Sequence, residues 1–220
     1  MEVMFTPFRL PTGNPRFMRL YCCLGLLKQG FRDGCRPIIG LDGCHLKGTY
    51  PGQLLTALGM DPNNGYRPIA WAVVEKEATK QWTWFLKLLS VDLDIQNQYH
   101  YTFISDQQKG LDRALAEVLP NYEHRYCVQH LYRNFKKKHP REALKERFWN
   151  IACYTTPEHF NEAMSNLETY DKEAHSWVKK APHPRHWCKA FFPTHTKCDT
   201  LVNNLCESFN AHILKPEISL

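Results

Sequence analysis

The chain has 220 residues, 43% of them hydrophobic and 13% aromatic, with a formal net charge of +6. That is apolar material enough for one sizeable packed domain and argues against wholesale disorder. No run approaches the eighteen apolar residues of a membrane helix, and the start lacks a basic stretch followed by an apolar one, so neither a membrane partner nor secretion is expected. Phe17, Leu20, Tyr21, Leu24, Leu27 and Phe31 recur at helical spacing and predict an amphipathic helix over 15–30, ended near Gly30 and Gly34. The run RPIIGLD, 36–42, predicts a short strand ending at Asp42. Runs 53–60 and 66–74 flank DPNNG, a turn signal that predicts a hairpin. A helix over 81–93, a strand over 101–105, a helix over 109–119 stopped by Pro120 and a strand over 124–128 follow, and a basic helix then runs through Lys138. Strands alternating with helices predict an α/β layered domain. From Pro140 the pattern turns helical, over 142–152, 157–170 and 172–180, before a last helix over 200–214.

Nine cysteines, an odd count with no CxxC pair, predict free and mostly buried thiols. The net charge alone says little about partners. Its distribution says more. Arg133, Lys136, Lys137 and Lys138 cluster early in 131–150, and 174–198 carries Lys179, Lys180, Arg185, Lys189 and Lys197 with no acidic residue. Trp177, Trp187, Phe191 and Phe192 are interleaved with the second group. Basic side chains among aromatics suit phosphate contact and base stacking. A solvated helix face with ordinary core aromatics is the alternative, and for Trp187 the core is the preferred place.

Asp42 and Asp106 share a context: each closes an apolar strand and precedes a polar or turn-like segment. Ligand sites in open α/β sheets lie beyond the carboxyl ends of strands. Two carboxylates facing each other there stay ionised when a cation neutralises them, and Mg²⁺ or Mn²⁺ suits oxygen ligands. Each Asp could equally be a helix N-cap or a turn residue. Glu207 lies off the Leu201, Leu205, Phe209, Ile213 stripe of the last helix, and spacing alone cannot tell a ligand from a surface residue.

The stretches CRPIIGLDGCHLKG, QLLTALGMDPNNGYRPIAWAVVEKE, WTWFLKLL, FISDQQKGL, HRYCVQHLYRNFKKK and LVNNLCESFNAHIL resemble, in order, the Mutator-like element (MULE) transposase domain of plants. The resemblance implies a ribonuclease-H-like mixed sheet flanked by helices, with a mainly helical insertion before the last catalytic helix. It divides the chain into a helical lead segment (1–33), a core (34–140), the insertion (141–198), the catalytic helix (199–215) and a tail (216–220). It implies a DDE triad of Asp42, Asp106 and Glu207 that is both catalytic and the ligand set for two Mg²⁺ or Mn²⁺ ions. Cys127 and His130 match a Cys-x-x-His feature of the family and, with His45, are expected in supporting roles. Zinc is not expected, because a site there would need two more ligands and His124, Cys153, Cys188, His195 and Cys198 have no recognised spacing.

The implied activity is metal-dependent DNA strand cleavage and transfer in the nucleus. The implied partners are element ends and target DNA, with a homo-oligomer as the active form. The chain carries neither of the zinc motifs expected before and after this domain, and LKPEISL departs from the family pattern. It therefore reads as a truncated copy with a loose tail at 216–220. The alternative is a domesticated, non-catalytic DNA-binding regulator of the far-red-impaired-response type, against which retention of all three acids argues.

Overall fold

The computed structural model describes residues 2–9, 15–47, 51–95 and 101–213, and side chains from Phe17 onward except those of residues 205, 212 and 213. The tail expected to be loose lies outside the described residues. The elements in chain order are β1 (Glu2–Arg9), β2 (Pro15–Cys23), α1 (Gly25–Gly34), β3 (Arg36–Leu46), β4 (Gly52–Met60), β5 (Tyr66–Val74), α2 (Thr79–Asp92), β6 (Thr102–Ser105), α3 (Lys109–Val118), β7 (Glu123–Tyr126), α4 (Val128–Lys136), α5 (Glu142–Cys153), α6 (Pro157–Tyr170), α7 (Lys172–Lys180) and α8 (Asn204–Ile213). Among the described residues one sheet forms, in the order β1-β2-β5-β4-β3-β6-β7. The pairs β1–β2, β2–β5, β5–β4 and β4–β3 are antiparallel, and helices flank the sheet, an α/β arrangement consistent with a ribonuclease-H-like fold. Among the described residues no helix is long and apolar enough to cross a membrane.

The expected helix over 15–30 is not what forms. Residues 15–23 are a strand, and the helix begins only at Gly25, so the segment 1–33 contributes two strands as well as a helix. Tyr21, Cys22 and Cys23 are buried in succession. A helix with one apolar stripe cannot bury three consecutive side chains, whereas a strand covered on both faces can. Leu20 to Cys23 take their places opposite Val73 to Ala70 of β5.

The DPNNG hairpin forms as expected, with β4 and β5 antiparallel. Asp61 Oδ1 accepts the N–H groups of Asn63 at 2.9 Å and Gly65 at 2.8 Å, and Asn64 takes a left-handed φ of 64°. Those backbone donors, aided by Arg67, hold the Asp61 carboxyl below the usual carboxylate range.

The chain divides into two compact units. The first holds Met1–Phe103, Gln108–Glu123 and Asn204–Leu220; the second holds Ile104–Gln107 and His124–Asn203. In the first, Leu41 and Leu55 from the sheet pack with Trp82, Phe85 and Leu89 of α2 and Leu111 of α3, all completely buried. At Gly59 a Cβ would come within 2.4 Å of the Phe31 ring, so glycine there lets α1 pack onto β4. In the second, an aromatic core joins Phe135, Phe148 and Trp187. Phe148 and Trp187 stack at 5.9 Å with planes 6° apart, and the Trp187 N–H donates to the Pro182 carbonyl. Trp187 is fully buried, so its place is the core and not a base-stacking surface. All nine cysteines are free, and Cys22, Cys23, Cys127, Cys188 and Cys206 are buried.

Candidate functional site

Asp42 is not the last residue of its strand. β3 runs on to Leu46, because Gly43 to Leu46 keep pairing with β4 down to Gly52. What ends at Asp42 is burial: Ile38 to Leu41 are enclosed, and Asp42 is the first half-exposed residue after them. The apolar half of the strand thus anchors the Asp42 backbone in the core and leaves its side chain at the core's margin. Thr56, its cross-strand partner, donates its hydroxyl to the Asp42 carbonyl at 3.2 Å.

Helix α8 packs against β3, β4 and β5. Phe209 meets Tyr66 edge-on at 6.0 Å, and Asn210 donates its amide N–H to Asp42 Oδ2 at 2.8 Å. Asn210 is 4% exposed, and its Oδ1 is buried with no hydrogen-bond partner among the described residues. The ionised carboxylate fixes which end of the amide faces it, since only the NH₂ end can donate. Glu207 lies one turn before Asn210, on a neighbouring position of the same helix face, and is half-exposed. The structure therefore brings the Glu207 helix onto Asp42.

A further acid stands beside this strand. Glu77, in the connection between β5 and α2, reaches Gly43, where a Cβ would fall 2.7 Å from its carboxyl carbon and 2.8 and 2.9 Å from its oxygens. The Trp82 N–H donates to Glu77 Oε1 at 3.2 Å and holds it there. Burial pushes the Cys44 thiol up to about 11, with the charges of Asp42 and then Glu77 adding to it. His45 falls on the opposite pleat from Asp42; its Nδ1 sits 2.6 Å from the Gln53 amide nitrogen, a cross-strand pair. Among the described residues, no group of three His, Cys, Asp or Glu side chains is gathered to hold a metal.

Asp106 belongs to the second unit, directly after the end of β6 as the sequence predicts, and is half-exposed. Its backbone is clamped. The Ser105 hydroxyl donates to the Asp106 carbonyl at 2.8 Å, and His124 Nε2 lies 2.8 Å from the same hydroxyl. With the serine proton so used, His124 must present Nε2–H as donor. Desolvation of its ring, and secondarily the neighbouring His186, push His124 down to about 3, so it is neutral at physiological pH.

The Cys-x-x-His segment begins α4. Cys127 donates its N–H to the Ser105 carbonyl at 2.7 Å, while its sulfur accepts the Asn203 N–H at 3.3 Å. One residue thus ties down the chain just before Asp106 and just before α8, the helix carrying Glu207. His130 Nε2 accepts from Arg133 at 3.2 Å. Cys127 thus holds local backbone in place, while the His130 ring meets an exposed arginine one turn on.

Of the basic residues, Arg133, Lys136, Lys137 and Lys138 are exposed on and just after α4, and Lys179 and Lys180 at the end of α7. Arg185 is exposed and donates to His186 Nε2 at 3.1 Å. Lys189 departs from the expectation, for it pairs with Asp199 at 2.5 Å and is only partly exposed. Arg125, which the sequence did not single out, is fully buried; it donates to the Cys198 carbonyl at 2.6 Å and lies 3.9 Å over the Phe192 ring.

Glu77, Asn210 and Ser105 also escaped the sequence reading, and His124 entered it only as a conceivable zinc ligand. Their only sequence signals are adjacency: Ser105 precedes Asp106, Asn210 follows Glu207 by one helical turn, and glycine follows Asp42.

Residues 38–134 match the model of the MULE transposase domain. That stretch contains Asp42, Glu77, Asp106, Cys127 and His130, and Glu207 lies beyond it. The chain is also 24% identical over 123 residues to Protein FAR1-RELATED SEQUENCE 6 of Arabidopsis thaliana, an alignment covering 54% of this chain and 17% of that protein.

Proposed function

We propose that this chain, with its MULE transposase domain at residues 38–134, is the catalytic part of a DDE transposase that cleaves and transfers DNA strands in the nucleus. The observation that carries this reading is the family match over the segment holding Asp42 and Asp106, two half-exposed acids at the margin of a buried sheet.

The donor chemistry suits hard divalent cations. Asp42 offers a carboxylate with one oxygen braced by Asn210, and the buried Asn210 Oδ1, which has no hydrogen-bond partner among the described residues, is an acceptor that a cation would satisfy. Asp42, Asp106 and Glu207 would hold two Mg²⁺ or Mn²⁺ ions, which supply the Lewis acidity that activates water or a 3′-hydroxyl and neutralises the leaving oxygen. The role of the residues around them is preorganisation: Asn210 fixes the Asp42 rotamer, and the Ser105 clamp fixes the backbone of Asp106. The exposed cations of α4 and α7 would bind the phosphates of element ends and target DNA without reading sequence. The active form would be a homo-oligomer.

A second reading is a non-catalytic DNA-binding regulator, favoured by the likeness to Protein FAR1-RELATED SEQUENCE 6. Both readings are tested on one DNA duplex with and without Mn²⁺. The transposase reading expects Mn²⁺-dependent nicking, lost in Asp42→Asn, Asp106→Asn and Glu207→Gln, with salt-sensitive DNA binding kept in all. Binding without nicking in every variant would favour the regulator. Absence of DNA binding even at low salt would overturn both.

A further inference from the structure

We propose that Arg185 senses a phosphate of the bound DNA strand and, through His186, His124 and Ser105, steadies the backbone that carries Asp106. Arg185 is then a DNA contact, and His186 and His124 are positioning residues for the acid. This rests on the reading that the chain binds DNA and that Asp106 is an acid of its site. Three observations carry it, all within the second unit.

The first is an unbroken line of hydrogen bonds. Arg185 Nε donates to His186 Nε2 at 3.1 Å, and His186 Nδ1 meets the His124 carbonyl at 2.6 Å. A carbonyl only accepts, so His186 carries its proton on Nδ1 and keeps Nε2 as the acceptor that Arg185 needs. Both ring nitrogens are thereby engaged and one tautomer is fixed. His124 passes the connection on. Its ring lies 2.8 Å from the Ser105 hydroxyl, which donates to the Asp106 carbonyl at 2.8 Å.

The second is what keeps the rings from turning. His124 and Tyr126 fall on one face of β7, two residues apart. The Tyr126 ring packs against both histidines, 4.8 Å from His124 and 5.4 Å from His186.

The third is charge. No acidic residue occurs between Glu173 and Asp199. Arg141, Lys145 and Lys189 are each paired with a carboxylate, of Asp171, Glu142 and Asp199. Arg185 is exposed and has no such partner among the described residues. Its Nε is taken by His186, so the Nη groups are the end left to a ligand, and a planar pair of donors suits a phosphate. Lys179 and Lys180 are exposed too, but among the described residues no contact joins them to Asp106.

A plainer role exists for Arg185, that of closing the short turn Pro184–His186, where its backbone N–H donates to His183 Nδ1. Arg185→Lys separates the two, because lysine keeps the charge and the backbone N–H and loses the Nε donor. His186→Phe keeps a ring against Tyr126 and loses both hydrogen bonds. His186→Gln is the rescue, since an amide donates at one atom and accepts at the other. Lys179→Gln is the control for a DNA contact with no link to Asp106.

The experiment is amide hydrogen exchange at residues 106–108 of the full chain, with and without a short DNA duplex in low salt. Fluorescence anisotropy sets a saturating DNA concentration for each variant, and circular dichroism confirms its fold. In the wild type, DNA should slow exchange there about tenfold. Arg185→Lys should bind the duplex within about twofold of wild type yet lose that slowing. His186→Phe should lose it too, His186→Gln should keep most of it, and Lys179→Gln should keep all of it while binding more weakly. Equal slowing in wild type, Arg185→Lys and His186→Phe would overturn the proposal, because the strand would then be covering the segment directly. Unchanged exchange in DNA-bound wild type would also overturn it and leave the DNA-binding reading standing. No binding of the duplex by the wild type, or Mn²⁺-dependent nicking undiminished in Asp106→Asn, would remove the reading beneath it.

Discussion

Asn210 reaches Asp42 across 168 positions of sequence, donating its amide N–H to the carboxylate at 2.8 Å. Removing that donor leaves a half-buried carboxylate short of a partner. Asn210→Ala should therefore cost about 1–2 kcal/mol, the usual penalty for breaking a hydrogen bond to a charged group. Asn210→Asp should be worse at neutral pH, where two carboxylates would face each other. Urea denaturation checks both, and equal midpoints for wild type and Asn210→Ala would contradict the role assigned to the contact.

The Ser105–His124 clamp predicts an acid-sensitive second unit. His124 has a folded pKa of about 3, below its ordinary 6.5, so the native state holds it neutral while the unfolded chain protonates it more readily. The stability this gives is complete above about pH 6.5 and is lost as pH falls from there toward 3. His124→Gln, which retains an N–H donor for Ser105, should flatten the pH dependence across that window. Ser105→Ala should loosen the backbone at Asp106 where Ser105→Thr does not. Denaturation midpoints at a series of pH values test the first point, and amide exchange at residues 106–108 the second.

Arg19 and Glu75 predict a second acid transition in the first unit. Arg19, 5% exposed, binds both Glu75 oxygens, at 2.8 and 2.7 Å. Chiefly those bonds hold the Glu75 carboxyl down to about 2, from an ordinary 4.5. A depressed carboxyl contributes stability that is present above about pH 4.5 and lost as pH falls toward 2. Glu75→Gln should remove that slope and cost about 1–2 kcal/mol at pH 7, because the enclosed guanidinium keeps only one neutral acceptor. An unchanged acid midpoint in Glu75→Gln would refute it.

The sequence made the hairpin, the strand before Asp106 and the helices beyond Pro140 readable, because turn chemistry and periodicity are local. It misplaced residues 15–23 because a strand buried on both faces leaves no alternating signature, and Tyr21, Cys22 and Cys23 sit next to residues that happen to recur at helical spacing. It put the end of the strand carrying Asp42 four residues early, since GCHL looks like a turn until β4 is there to pair with it. The candidate acids came from family likeness, and only the fold could supply their surroundings. Glu77 meets Gly43 across 34 positions and Ser105 meets His124 across 19, distances over which no spacing rule operates.

The first unit is built from three separate stretches of chain, and its last helix is its last part to be made. On the ribosome, Asp42 emerges 168 residues ahead of the Asn210 that braces it. Contacts so distant in sequence form late, because the loop between them must first be ordered. The intervening 80 residues of His124–Asn203 have an aromatic core of their own. A nascent chain therefore carries Asp42 without its Asn210 brace for most of its synthesis, and on the proposed reading any cation binding there would wait until α8 has been made. For a protein whose proposed activity is to cut DNA, that order of assembly would keep copies lacking α8 inert.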